Sequence, residues 1–143
     1  MCVRFSPDDR VIATSQFDGT ITVTDTATLT PKMEFSIPQV HGHRQPATSL
    51  CFRPMGRPTM LVTCSSGLIS LYDFRTGELL HSSHEQDNEV YCSDYKPDGT
   101  VFATAGRDAH VRLYDESTGA ITRMLNAAAE MSSSPTAERI YSV

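Results

Sequence analysis

Residues 95–99 read Tyr-Lys-Pro-Asp-Gly, and related phrases stand at residues 5–9 (Phe-Ser-Pro-Asp-Asp) and 52–56 (Phe-Arg-Pro-Met-Gly). Their prolines lie 47 and then 43 residues apart. Each phrase is followed by a stretch in which apolar and polar residues alternate, and then by an aspartate 18 or 19 residues after the proline. Self-similarity at a period of about 40–50 residues indicates a repeat architecture, in which each unit packs on its neighbours.

Four short segments in each unit have the composition of β-strands. β-branched and aromatic residues alternate with polar ones there, which favours strand over helix, and Pro, Asp and Gly mark the turns between segments. The expected strands are residues 1–5, 11–14, 20–24 and 33–37, then 47–52, 60–63, 68–72 and 78–82, then 89–95, 101–104, 110–114 and 120–125. Four strands in up-and-down order are typical of one blade of a β-propeller.

The composition argues against several classes of protein. The formal net charge is −5 and no run of Lys or Arg occurs, so we expect no nucleic-acid partner and no membrane surface. No stretch approaches about 18 consecutive apolar residues, and the N-terminus lacks the pattern of a secretory signal. Cys2, Cys51, Cys64 and Cys92 form no C-x-x-C pair, which favours reduced thiols in a cytoplasmic or nuclear protein.

These features resemble the WD-repeat family, and the resemblance extends over the whole chain. Its marks are a Gly-His dipeptide at 42–43, Tyr-Asp at 72–73 and 114–115 in place of Trp-Asp, and the turn aspartates Asp18 and Asp108. The resemblance implies an all-β fold: a partial WD-repeat β-propeller of three four-stranded antiparallel blades plus the first strand of a fourth.

The expected boundaries make the chain one partial propeller over residues 1–143. They are about 1–37 for the first blade, 47–82 for the second, 89–125 for the third, 126–137 for a linker and 138–143 for the strand of a fourth unit. A propeller closes with typically 4–8 blades, so we expect missing repeats or a second chain to complete the ring.

The resemblance also implies a buried network in each blade, which links a His, a strand Ser or Thr, the turn Asp and the Trp. The third unit offers His84, Thr104, Asp108 and Tyr114; the second offers His43, Thr63 and Tyr72; the first offers Thr14 and Asp18. The second unit is read as one residue short in its turn, without an Asp, and the chain contains no Trp. We therefore expect no complete network.

No catalytic residue, cofactor or metal site is expected, and we expect no enzymatic activity. A His, an Asp and a Thr at these spacings are typical of buried supports in this family rather than of a catalytic triad. His41 and His43 stand two residues apart in a loop, without matching Cys or His partners at the spacing of zinc ligands.

Five residues are candidate contacts for protein partners. In the family geometry the second turn of each unit faces the surface used most often for partners; Phe17 and Arg107 precede the turn aspartates there. Arg44 and Tyr91 are weaker candidates. Arg75 ends Tyr-Asp-Phe-Arg at 72–75, which resembles the motif by which some WD-repeat proteins dock onto the adaptor of cullin-RING ubiquitin ligases; otherwise Arg75 is a solvated turn charge.

The leading functional hypothesis is a non-enzymatic protein–protein interaction scaffold, part of a larger propeller or multiprotein complex. One alternative is a substrate-receptor subunit of a cullin-RING ubiquitin ligase, which the motif at 72–75 suggests. The other is a structural component of a large assembly, such as a ciliary, ribosome-associated or RNA-processing particle, where neighbours would cover the open faces of a partial ring.

Overall fold

Twelve β-strands follow one another in the computed structural model, which describes residues 1–126. The first four are β1 (Val3–Phe5), β2 (Val11–Ser15), β3 (Thr20–Asp25) and β4 (Pro31–Ser36). The next four are β5 (Ala47–Phe52), β6 (Thr59–Cys64), β7 (Leu68–Asp73) and β8 (Leu79–His84). The last four are β9 (Val90–Tyr95), β10 (Val101–Gly106), β11 (His110–Asp115) and β12 (Ile121–Asn126).

The strands form three separate antiparallel sheets, each of four strands in chain order. We call them blade 1 (β1–β4), blade 2 (β5–β8) and blade 3 (β9–β12). The prediction of three four-stranded blades is confirmed. The expected linker at 126–137 (apart from Asn126) and the strand of a fourth unit at 138–143 lie outside the described residues. No helix that could cross a membrane occurs in residues 1–126.

Strand pairing aligns the three blades residue by residue. Val11, Thr59 and Val101 pair with the three closing aspartates of β3, β7 and β11. The turn between the second and third strands has the same length in every blade, so the reading that the second unit is one residue short there is wrong. The second unit has one extra residue between Pro54 and Thr59. Positions counted from the proline are therefore displaced by one residue in this unit.

Blade 2 is packed between the other two blades. All six residues of β6 and the first five of β7 are buried. In β2 the buried residues are Val11, Ala13 and Ser15, whereas in β10 the buried set includes Phe102 and Thr104, which lie on the opposite face of the aligned strand. Blades 1 and 3 therefore bury opposite faces, one against each side of blade 2.

Two apolar clusters mark these contacts. The first contact joins blades 1 and 2, and includes Ala13, Ile21, Val23, Ile37, Leu50, Met60, Val62 and Tyr72. The second contact joins blades 2 and 3, and consists of Cys51, Leu61, Ile69, Leu71, Tyr95, Phe102 and Tyr114. Because full burial of one large aliphatic or aromatic side chain contributes about 1.5–3 kcal/mol, these clusters supply the main driving force for stacking the blades.

The antiparallel order places the turns at two opposite edges. The turn edge carries the β2–β3, β6–β7 and β10–β11 turns together with the connections from one blade to the next. The proline edge carries the three proline phrases, at 5–9, 52–56 and 95–99, and the β3–β4, β7–β8 and β11–β12 turns. Side chains at the two edges can therefore contact different partners at the same time.

Candidate interaction surfaces and the inter-blade network

A charged network crosses the second contact at its turn edge. Glu85 follows β8 of blade 2, and only 5% of its surface is exposed. Thr104 donates its hydroxyl to Glu85 Oε1 at 2.6 Å, and the Tyr114 hydroxyl donates to the same oxygen at 2.8 Å. The Arg112 guanidinium lies 3.1 Å from Glu85 Oε2. A carboxylate of blade 2 is thus held by three side chains of blade 3.

The network continues from Arg112 to the β10–β11 turn. Arg112 also forms an ion pair with Asp108. Burial would raise the pKa of Asp108, but hydrogen bonds from Arg112 and from the backbone N–H of His110 outweigh it and lower that pKa. Asn88 donates its side-chain amide to Glu85 and accepts the backbone N–H of Asp108 at 3.1 Å. The charges are therefore paired in a set that includes both blades.

Tyr114 is held neutral by this arrangement. Burial raises its pKa, and donation of its hydroxyl to Glu85 raises the pKa further. Its ring stacks on Phe102 with centroids 4.9 Å apart. The side chain therefore serves as an apolar member of the second contact and as a hydrogen-bond donor to the network.

A second ion pair ties the same two blades at the proline edge. Arg53 Nη1 of blade 2 lies 3.0 Å from Glu116 Oε2 of blade 3, and the side chains are 16% and 8% exposed. A Cβ added at Gly99 would lie 2.9 Å from Arg53 Nε, so the glycine is what lets the guanidinium cross. The second contact is thus pinned by charges at both ends.

The turn edge presents the candidate contact residues in two groups. Phe17 is 79% exposed, and Arg44 nearby forms an ion pair with Asp18 at 3.2 Å. In blade 3, Arg107 Nη1 forms an ion pair with Glu89 Oε1 at 3.0 Å, and the Tyr91 hydroxyl donates to Glu89 Oε2 at 2.7 Å.

Three of these candidate side chains, Arg44, Arg107 and Tyr91, are therefore held in place by neighbours of opposite charge or by hydrogen bonds. Phe17 projects into solvent as a large exposed apolar side chain. Aromatic residues and Arg are among the residue types that are enriched at protein interfaces.

Arg75 lies on the proline edge, in the β7–β8 turn. Its backbone N–H donates to Asp73 Oδ1 at 2.8 Å, which fixes the turn. Its guanidinium has no hydrogen bond or ion pair to any residue within 1–126. The turn thus presents a positive charge to solvent on the edge opposite Phe17.

The thiols are buried or partly buried, and within residues 1–126 they are not grouped with acidic side chains as a metal site. Within residues 1–126, no group of three or more His, Cys, Asp or Glu side chains could hold a metal ion. The four cysteines are free thiols. Burial raises the pKa of Cys64 to about 12 and also raises the pKa values of Cys51 and Cys92, so these three stay protonated at neutral pH.

Comparison with known families agrees with the blade geometry. The sequence pattern of the family described as "WD domain, G-beta repeat" matches residues 1–25 and 77–115. The pattern of the "Anaphase-promoting complex subunit 4 WD40 domain" matches residues 34–95. The chain belongs to the WD-repeat family. Together the two patterns cover parts of all three blades.

Individual relatives carry the same repeats in much longer chains. An uncharacterized WD repeat-containing protein of Schizosaccharomyces pombe is 29% identical over 73% of this chain and 25% of its own length. Actin-interacting protein 1-2 of Arabidopsis thaliana is 31% identical over 58% of this chain and 14% of its own. Coronin-7 of Mus musculus is 31% identical over 52% of this chain and 8% of its own. The chain spans a quarter or less of these relatives.

In this WD-repeat chain, Glu85 takes the place predicted for His84. His84 is exposed, and its ring contacts the Gln86 side chain at 3.1 Å. The backbone N–H of Glu85 donates to Gly67 O at 2.9 Å, which closes the sheet and turns Glu85 inward one residue after His84. The assignment of His84 to the network is wrong, and blade 3 instead forms a different, charged network around Glu85.

A signal for this network was present in the sequence. Arg112 stands two residues before Tyr114 in an alternating strand, so both side chains face the same way. A cation on a buried face requires a buried carboxylate. Glu85 was the acidic residue adjacent to the predicted histidine position.

Blade 2 lacks an equivalent network. His43 is exposed, so its assignment as a buried support is wrong. In blade 3, Thr104 pairs with Arg112, and at the equivalent position of blade 2 Val62 pairs with Ser70. The residue equivalent to Thr104 is therefore Val62, and the assignment of Thr63 is wrong by one residue. The shift has the same cause as the miscounted turn, because the extra residue precedes β6.

Tyr72 is as buried as Tyr114 but has a different environment. Its ring contacts Phe35 with centroids 4.6 Å apart, and its hydroxyl has no hydrogen-bond partner within residues 1–126. Ser66 occupies the turn position of Asp108, and its buried hydroxyl is likewise unpartnered in the described chain. Burial raises the pKa of Tyr72 to about 12. The side chains named for a blade 2 network therefore form none.

In blade 1, the two predicted network residues stand apart. Thr14 is half-buried on the face that points away from blade 2. Asp18 is exposed and accepts the backbone N–H of Thr20 at 2.9 Å in addition to Arg44. Asp18 therefore caps a surface turn.

Proposed function

We propose that the chain is a non-enzymatic protein–protein interaction scaffold that forms part of a larger propeller or multiprotein complex. Proteins of the WD-repeat family are typically scaffolds of this kind, and the relatives support that general role. A location in the cytoplasm or nucleus is part of the proposal and rests on the four free thiols.

The observation that carries this proposal is the outer face of blade 3. Val101, Ala103, Val111 and Leu113 are only half-buried there. By register they correspond to Thr59, Leu61, Ile69 and Leu71, which blade 2 buries against blade 3. The open face therefore repeats the apolar pattern that elsewhere receives a neighbouring blade. Further repeats or a second chain would bury it.

A charge placed on this face tests the proposal. Leu113→Glu in the full 143-residue chain, or in a longer protein that contains it, is expected to prevent assembly, because a carboxylate cannot be buried unpaired. Met124→Glu is the control, since Met124 is 53% exposed on the outer strand of the same blade. Sedimentation velocity reports association. A cooperative monomer in which both variants behave as wild type would refute the proposal.

The turn edge is the proposed partner surface, with Phe17 as its anchor. Affinity capture from cell extract with the wild-type chain should lose specific partners on Phe17→Ala. Leu29→Ala is a matched control, because Leu29 is 76% exposed but lies in the β3–β4 turn at the proline edge. An identical set of captured proteins for wild type and Phe17→Ala would exclude Phe17 as the anchor.

Two more specific partners follow from particular observations. One relative is called an actin-interacting protein, so actin is the first defined partner to test, by co-sedimentation with filaments. The exposed guanidinium of Arg75 supports docking to a cullin-RING ligase adaptor as an alternative. Adaptor binding that is lost on Arg75→Ala would favour the ligase role, and the absence of such binding in the wild type would end it.

A further inference from the structure

We propose that the cleft between blades 1 and 2 at the proline edge binds an acidic peptide segment of a partner protein, with one apolar side chain inserted. The inference rests on the scaffold function proposed above, and gives the chemistry of one partner. Two adjoining hollows, of about 320 and 160 Å³, share Asp8, Phe74 and Arg75 and together form this cleft.

The floor of the cleft is apolar. Val11 and Val23 form its buried base, and Met33 and Phe74 are partly buried against the core beneath it. Met55 lines the second hollow and is 60% exposed. One aliphatic or aromatic side chain of a peptide could bury its surface here, since Met side chains adapt to irregular apolar shapes.

The rim of the cleft is positive although the chain as a whole has a net charge of −5. Among the residues that the structure describes, five cationic side chains line the two hollows, against the single carboxylate of Asp8. They are Arg10, Lys32, Arg53, Arg57 and Arg75.

The charge is only partly neutralised by the protein itself. Arg53 is paired with Glu116, and Lys32 contacts Asp25 at 2.7 Å. Arg10 has only a long contact to Asp8, at 3.8 Å. Arg57 and Arg75 have no ion pair to any of residues 1–126. Arg57 and Arg75 are therefore available to form ion pairs with an anionic ligand.

The apolar floor and the cationic rim together determine which kind of peptide the cleft binds. An apolar floor alone would accept any hydrophobic segment, and the guanidinium groups alone would accept any anion. Two unpaired guanidinium groups beside an apolar floor favour a segment in which Asp or Glu residues flank one Leu, Met or Phe. Arg forms directional pairs with carboxylates, so such a segment is also held in one orientation.

The test uses the full chain and a panel of short fluorescein-labelled peptides, with fluorescence anisotropy as the readout. The panel contains acidic peptides with a central Leu, Met or Phe, the same peptides with Ser at the centre, and Lys-rich counterparts. Only the acidic peptides with an apolar centre should bind, and the affinity should fall as salt is raised.

Charge reversal then locates the site. Arg75→Glu and Arg57→Glu should each weaken binding by about tenfold or more, because each replaces an attraction by a repulsion. Lys96→Glu is the control, since Lys96 lies on the proline edge of blade 3, is 59% exposed and pairs with Asp98 at 2.8 Å. All three positions are exposed, and circular dichroism checks that the variants fold.

The possible outcomes separate this inference from the scaffold proposal. Absence of binding across the panel, equal binding of Lys-rich peptides, or equal losses in the Arg75 and Lys96 variants would each overturn the inference. If Phe17-dependent partners are nevertheless captured, the scaffold function stands without it. If neither peptide binding nor partner capture is found, both proposals fail.

Discussion

The first and second contacts bring equivalent strand positions together but satisfy them with different chemistry. Tyr72 and Tyr114 occupy the same register position and are each 2% exposed. The Tyr114 hydroxyl donates to Glu85, whereas the Tyr72 hydroxyl has no partner in residues 1–126. The same blade geometry can therefore be held by apolar packing alone or by apolar packing with a charged network.

The difference arises at one exit position, the residue just after the outer strand. Ile37 and Glu85 each donate a backbone N–H to the glycine of the adjacent turn, at 2.9 Å. The facing residues change with them: a carboxylate faces Thr104 and Arg112, whereas an isoleucine is in the cluster that contains Val62. Each set is internally consistent, because a buried charge requires partners and an isoleucine does not.

Removal of the network's carboxylate should have the largest effect. Glu85→Ala leaves the Arg112 charge and two hydroxyls buried without their partner, and we expect a loss of about 3–5 kcal/mol in the free energy of unfolding. Urea denaturation followed by circular dichroism measures this loss. The contrast with the first contact can be tested by converting one set into the other.

The conversion combines Glu85→Ile, Thr104→Val and Arg112→Ser, which are the residues of the first contact. The triple variant should be more stable than Glu85→Ala, because apolar replacement of a buried ionic set is often neutral or stabilising. If the triple variant is as unstable as the single one, the two sets are not interchangeable, and the comparison fails.

The tyrosine pair should show the next largest difference. Tyr114→Phe removes a hydrogen bond to a charged group and should cost about 1.5–3 kcal/mol. Tyr72→Phe removes a hydroxyl with no partner in the described chain and should leave stability unchanged or slightly higher. Thermal or urea unfolding of both variants measures the contrast. Equal losses would mean that the Tyr72 hydroxyl also makes a stabilising contact.

Two equivalent glycines give a smaller contrast. Gly77 and Gly119 both have positive φ, +74° and +68°, so alanine is strained at either position by about 1–2 kcal/mol. A new Cβ at Gly77 meets the flexible end of Met33 at 3.0 Å, whereas at Gly119 it would overlap the ring of His81.

We therefore expect Gly119→Ala to cost roughly 1 kcal/mol more than Gly77→Ala, since a ring in a packed site cannot move aside as a thioether can. The midpoints of denaturant unfolding of the two variants, compared at equal dependence of the free energy on denaturant concentration, measure this difference. A reversed order would indicate that the outer strand of blade 2 moves more easily than that of blade 1.

A further expected effect appears only at alkaline pH. A tyrosine in the unfolded chain titrates near about pH 10. Burial raises the pKa of Tyr72 to about 12, so the folded state binds the phenolic proton more tightly. The contribution of Tyr72 to the free energy of unfolding is therefore complete below about pH 10 and is lost as the pH rises toward about 12.

Tyr72→Phe should reduce this alkaline loss without abolishing it, because burial also raises the pKa values of Tyr95 and Tyr114. Unfolding measured across this pH range checks the effect. A pH dependence identical to that of the wild type would show that Tyr72 ionises no less readily in the folded chain.

The repeat period and strand alternation were sufficient to predict the blades, because both follow from local pattern. β5 spans the predicted residues 47–52, and the other strands differ by a few residues at their ends. The inter-blade chemistry was not predictable in the same way. Whether Glu85 or His84 faces inward depends on where the chain leaves the outer strand, and a single-residue shift reverses the side-chain direction.

The position of Thr63 shows the same limit. A count from Pro54 places it at the site of Thr104, but the extra residue before β6 moves Val62 there. Only strand pairing reveals this shift. A pattern that locates strands to within a few residues is therefore enough for the fold and insufficient for a buried network, where each residue has specific partners.

The exit position has a consequence for how the chain avoids errors during folding. Repeats of similar shape can stack in the wrong order, and such misassembly is a characteristic failure of repeat proteins. If Glu85 were placed against the face of blade 2 that holds Val62 and Ser70, its carboxylate would be buried without a cation. Among the three described blades, only the one that carries Arg112 and Thr104 receives it at low cost. The buried charge of Glu85 thus specifies which blade packs next to blade 2.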